Sequence, residues 1–148
     1  MNPQYDILLF KLVYNDSVIT SAHWDWSTFK IEGKTQERMI REVLYNVSPL
    51  YHLDDEQWNE YKEDITAHNK IWSAFSKKAV QNEMTDFSYL NEDGTVQKTV
   101  YGNQLSVVAN FGDTSYNHEG TEIPAYSVLI TESDQSMVYT PILKDTHK

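Results

Sequence analysis

The stretch Tyr5-Asp6-Ile7-Leu8-Leu9-Phe10-Lys11-Leu12-Val13-Tyr14 decides how the rest of the chain is read. Apart from Asp6 and Lys11 it is a continuous apolar run with β-branched and aromatic members. Such a run reads as a strand buried on both faces, the kind found in parallel sheets. Asn15-Asp16-Ser17 then supplies turn chemistry. On that reading, the polar residues after Tyr14 lie beyond a strand's carboxyl end, where α/β enzymes bind their ligands. They are Asn15 and Asp16, followed by His23-Trp24-Asp25-Trp26 in a long connection over residues 17–34. A connection of that length tends to be functional. Indole rings can stack on the apolar face of a sugar, and Asp, Asn and His can hydrogen-bond its hydroxyls. The same residue types also fit a plainer reading, with Trp24 and Trp26 as core aromatics and Asp25 as a solvated turn residue.

Outward from this stretch the period becomes helical. Thr35 is a candidate N-cap with Glu37 in the first turn, and Met39, Ile40, Val43, Leu44 and Val47 recur at helical spacing up to Ser48-Pro49. Asp54 with Gln57 three residues on forms a capping-box pattern, and Leu53 is placed to staple against Trp58. Trp58, Tyr61, Ile65, Trp72, Phe75 and Ala79 then trace an apolar stripe. The spacing fits either one helix to about residue 81 or a break near His68-Asn69. The acidic residues Asp54, Asp55, Glu56, Glu60, Glu63 and Asp64 read as a capped helix start and a solvated face, because like charges at i, i+4 repel. Beyond residue 82 the period shortens. Phe87–Leu90, Val96–Tyr101, Leu105–Phe111, Ala125–Thr131 and Val138–Thr140 read as strands separated by Gly, Asn, Asp and Pro, which indicates an antiparallel sheet or sandwich. The expected fold is therefore α+β, an N-terminal strand plus helices over 1–82 and an antiparallel β-sandwich-like domain over 83–148.

The chain has 148 residues, enough for a buried core but short of the about 250 of a complete (β/α)8 barrel. Its 12 basic and 22 acidic side chains give a formal charge of −10, which argues against nucleic acid and anionic membrane as partners. With no cysteine, thiolate metal sites, disulfides and cysteine nucleophiles are excluded. His23, His52, His68, His118 and His147 include no i, i+4 pair. His23-x-Asp25 and His52-x-Asp54 each offer two ligands where zinc needs three or four, so no metal is expected. No G-x-S-x-G elbow and no glycine-rich phosphate cradle occurs, and no cofactor is expected. The start carries no basic segment before an apolar one and no long apolar run follows, so a soluble, cytoplasmic product is expected.

Leu9-Phe10-Lys11-Leu12-Val13-Tyr14-Asn15-Asp16-Ser17-Val18, then His23-Trp24-Asp25-Trp26, resembles the end of a glycoside hydrolase catalytic barrel. The resemblance is to bacterial enzymes related to glycoside hydrolase families 101 and 129, of the α-N-acetylgalactosaminidase type, and it extends over nearly all of the chain. Val107-Val108-Ala109-Asn110-Phe111-Gly112 and Ile123-Pro124-Ala125 are similar to the all-β domains that end many barrel glycosidases. Asn15 stands where the family pattern has His. The resemblance implies a last barrel strand, a tryptophan-containing loop, a helical pair and a terminal β domain. It implies a substrate-lining role for Asn15, Asp16, His23, Trp24, Asp25 and Trp26, with the catalytic carboxylates on earlier strands outside this chain and no turnover by this stretch alone. The implied partners are a carbohydrate and, through the N-terminal strand, the rest of the enzyme or a second copy. The alternative is a non-catalytic carbohydrate-binding or interaction module, in which Trp24, Trp26, Tyr116 and Tyr126 would contact the sugar.

Overall fold

The structure, a computed structural model, describes residues 3–24 and 34–141, with side chains from residue 8 onward. The opening apolar run is a helix, α1 (Pro3–Tyr14), where a buried strand was expected. An apolar run broken only by Asp6 and Lys11 carries no clear period, so its length is what separates strand from helix, and this one exceeds the usual four to about eight residues of a strand. Pro3 suits a first helical turn. Leu8 and Leu12, at i, i+4, pack on the main core, while Lys11 and Asn15, also at i, i+4, form a buried polar pair. The N-terminal strand is instead β1 (Ser21–Trp24), inside the stretch expected as a connection.

From β1 the chain passes to α2 (Lys34–Leu44) and then to β2 (Ser48–Tyr51). The two strands pair in parallel, Ser21 beside Ser48 through Trp24 beside Tyr51, so the three elements form a β–α–β unit. Thr35 lies one residue inside α2 and is buried rather than capping it. The helix also ends before Val47. Asn46 takes a left-handed conformation (φ 50°), its N–H bonds Val43 O at 3.2 Å, and Val47 N–H bonds Glu42 O at 2.9 Å. These are the two reversed bonds of a Schellman C-terminus, with asparagine at the left-handed position.

The third helix, α3 (Asp55–Ala79), runs unbroken through His68 and Asn69. Its expected capping box is present: Gln57 N–H donates to Asp54 Oδ1 at 2.9 Å and Asp54 N–H to Gln57 Oε1 at 3.2 Å. No helix among the described residues is long and apolar enough to cross a membrane.

The remaining strands are β3 (Met84–Tyr89), β4 (Val96–Tyr101), β5 (Leu105–Asn110), β6 (Tyr116–His118), β7 (Thr121–Ile123), β8 (Ser127–Glu132) and β9 (Gln135–Tyr139). Five of them form an antiparallel sheet in the order β3-β4-β5-β8-β9, and β6-β7 is a separate hairpin. Side chains alternate across the sheet. Tyr101, Leu105, Val107, Ala109, Val128 and Ile130 meet Ile40, Val43, Leu44, Phe75 and Ala79 from the helices. On the other face Val96, Val108 and Leu129 meet Ile123 and Tyr116 of the hairpin. The sheet thus lies between a helical layer and a small β layer. Residue 82 falls in the α3–β3 connection, and the main core is continuous across it. The chain is α+β, with an N-terminal strand and helices followed by a sheet.

The Asn110-Phe111-Gly112 and Ile123-Pro124 motifs meet in space. Asn110 Nδ2 donates to Thr114 O, Ile123 O and Pro124 O at 2.7, 3.1 and 3.0 Å, and Gly112 N–H donates to its Oδ1 at 2.9 Å. One buried amide therefore fastens the hairpin to the sheet.

Candidate functional site

The carboxyl ends of β1 and β2 bring together residues from both parallel strands. Along β1 the side chains alternate, so Trp24 points into the core and His23 outward. His52 follows β2 directly. His23 Nδ1 and His52 Nε2 lie 3.0 Å apart, close enough to share one proton. The ring planes are within 7° of parallel and the centroids are 5.0 Å apart. At that separation the rings lie edge to edge along the hydrogen bond. Both histidines are exposed, and among the described residues their outer nitrogens, His23 Nε2 and His52 Nδ1, have no other partner. They can donate to or accept from a hydroxyl. Among the described residues no group of three or more metal-ligating side chains gathers here or elsewhere.

Behind this pair sits a buried polar chain. Trp24 is fully buried, and its indole Nε1 donates to Glu42 Oε1. Glu42 Oε2 bonds His68 Nε2 at 2.8 Å, and His68 Nδ1 meets the Tyr139 hydroxyl at 3.0 Å. The Arg38 guanidinium stands 4.8 Å over the Trp24 ring, and its Nε lies 3.9 Å from Glu42. Burial pushes the Glu42 carboxyl up from its ordinary range, and His68, Trp24 and Arg38 oppose that rise. The chain links β1, α2, α3 and β9. It fixes the orientation of Trp24 at the carboxyl end of β1.

The sequence-derived site residues divide into two groups. Since the segment before them is a helix, Asn15 and Asp16 do not follow a strand's carboxyl end; they precede β1. Asn15 is buried, donating to Ala79 O at 2.9 Å and Asn82 O at 2.8 Å and accepting from Lys11 Nζ and Asn46 Nδ2. It closes the C-terminal end of α3. Asp16 is exposed and accepts from Ser17 Oγ at 2.9 Å. His23 and Trp24 lie at the other end of the strand pair, and Asp25 and Trp26 lie outside the described residues. Tyr116 packs on the hairpin face and donates to Leu90 O at 3.2 Å.

Sequence reasoning missed Glu42, His68, Tyr139 and Lys11. A signal existed for His68. Positions 61, 65, 68, 72, 75 and 79 follow one helical stripe, and His68 is its polar member. Glu42 likewise falls between the buried Met39 and Val43 on α2. A polar residue inside an apolar stripe is the mark of a buried network.

Comparison with known proteins gives one family. The model described as glycosyl hydrolases related to the GH101 family, GH129, matches residues 1–100. The match takes in α1, the β–α–β unit, α3, β3 and most of β4. No curated protein matches the chain.

Proposed function

Because the chain belongs to the glycosyl hydrolases related to the GH101 family, GH129, we propose that it is the sugar-contacting, non-catalytic portion of an enzyme that hydrolyses α-glycosides of N-acetylgalactosamine type. The observation that carries this reading is the pairing of His23 with His52 at the carboxyl ends of parallel strands inside the matched region. Ligands bind at that end of such strands, where loops leave the sheet and side chains converge. His23 and His52 hydrogen-bond sugar hydroxyls there, Asp25 and Trp26 add a carboxylate and a stacking ring, and Trp24 acts from behind as a positioning residue. Asn15 and Asp16 act at the opposite end of the pair.

Hydrolysis of this class needs two carboxylates flanking the bond. The acidic residues Asp55, Glu56 and Glu63 are exposed on α3, and Glu42 is buried in bonds of its own. The resemblance to barrel glycosidases assigns the catalytic pair to other strands of a barrel, with this chain lining its mouth. The test is release of p-nitrophenol from an aryl α-N-acetylgalactosaminide. The purified chain is expected to release none; turnover that scales with its concentration overturns the non-catalytic assignment.

A further inference from the structure

The helix α1 is turned inside out. Lys11 at its inner side and Asn15 just past its end are buried against the protein, while Leu9, Phe10, Val13 and Tyr14 are exposed. The exposed four stand at i, i+1, i+4 and i+5, so they form one face with two ridges, Leu9–Val13 and Phe10–Tyr14. The Phe10 and Tyr14 rings lie 5.1 Å apart. Val18 and Ile19 follow at the end of the helix, where Val18 N–H folds back on Tyr14 O at 2.9 Å. These six residues are 37 to 77% exposed. Inward bonds hold the orientation. Lys11 Nζ donates to Asn46 O at 2.7 Å, and Asn15 Nδ2 to Ala79 O at 2.9 Å and Asn82 O at 2.8 Å. Turning α1 to bury its outer face would break all three. A helix with apolar residues around its circumference is normally covered on every side, and here one side is open.

Area and charge together select what covers it. The six residues expose roughly 600 Å², the upper end for the largest apolar patch of a typical monomer. Two such patches face to face bury about 1,200 Å², where specific protein–protein interfaces begin. A formal charge of −10 makes two copies repel over most of their surface, but Leu9, Phe10, Val13 and Tyr14 carry none of it. Asp6, one turn ahead of Phe10 in sequence, and Asp16, just past the helix, bound the patch in the chain. A helix of 12 residues is too short to cross a membrane, and the net charge opposes an anionic lipid surface. We propose that the outer face of α1, with Val18 and Ile19, is a homodimer interface in which two copies of this chain pack α1 against α1 about a two-fold axis. Such an axis makes one patch its own complement, and i, i+4 ridges on both sides interlock in the commonest class of helix packing. The inference does not rest on the glycoside reading and survives its failure.

Sedimentation equilibrium of the chain from about 1 to about 500 µM tests it. A monomer–dimer equilibrium is expected, with a dissociation constant on the order of 10–100 µM, because the interface is at the small end of its class. Raising NaCl from about 50 to about 500 mM should strengthen it severalfold by screening the net charge. Val13→Lys and Leu9→Gln should each weaken association by about tenfold or more, since each puts a polar group into an apolar seam. Both positions are well exposed, so the monomer should keep its far-ultraviolet circular dichroism, and either variant suffices if the other does not fold. Met137→Lys, at an exposed apolar residue of β9, should leave the constant unchanged. Four results overturn the proposal: a monomer up to about 500 µM, whether or not α1 then binds phosphatidylcholine vesicles; growth beyond the dimer; association indifferent to both α1 variants; or equal weakening by Met137→Lys.

Discussion

Glu42 receives two donors at once, the Trp24 indole on Oε1 and the His68 imidazole on Oε2, in a place with almost no water. Removing it strands both. Glu42→Ala should therefore destabilise the fold by about 3–5 kcal/mol, the usual result of breaking a buried charged pair from one side. Urea denaturation measures this, and a loss under about 1 kcal/mol would mean that water replaces the carboxylate. Asn15 is similar in kind. Its amide serves two carbonyls at the end of α3, so Asn15→Ala should cost about 2–3 kcal/mol by leaving them unpaired. Lys11 gives a pH signature. Its folded value near 8 lies below its unfolded 10.5, so between them the unfolded chain holds more protons. Stability of the parent chain relative to Lys11→Met should then rise with pH across that window; a flat difference would show that Lys11 is well solvated.

At the scale of elements, α3 carries the clearest prediction. Its stripe at 61, 65, 68, 72, 75 and 79 needs an unbroken helix, so the amides of His68 and Asn69 should exchange as slowly as those of Ile65 and Trp72. Fast exchange confined to 66–70 would restore the break that the sequence also allowed. Asp54→Ala, which removes the cap, should cost about 1 kcal/mol in the same denaturation assay. The capped start, the antiparallel strands and their turns were legible because each has a local cause: a reciprocal side-chain bond, a period of two, a glycine or asparagine at a turn. The opening run was not legible. Its environment differs face by face, with Leu8 and Leu12 packed on the core and Leu9 and Val13 each 63% exposed, and no local period records that. Tertiary contacts decided the element. Read as a strand, it put Asn15 and Asp16 beyond a strand's carboxyl end, whereas they follow a helix; the His23–Trp26 segment was singled out by residue type alone. His52 was out of reach, because only the parallel register sets it beside His23.

Over the whole molecule, helices and sheet share one core, and Glu42, His68 and Tyr139 tie α2, α3 and β9 together. Unfolding should accordingly be a single transition, coincident by tryptophan fluorescence and far-ultraviolet circular dichroism. Separate transitions for the helical and sheet halves would contradict a shared core. The central claim is that the carboxyl ends of β1 and β2 face sugar. The most direct test is a titration with methyl α-N-acetylgalactosaminide, observed through the imidazole resonances of His23 and His52 and the backbone of residues 25 and 26. The account predicts saturable shifts at those positions, with Asn15 and Lys11 unmoved. No saturable shift there, or shifts confined to the amino end of the strand pair, would contradict it.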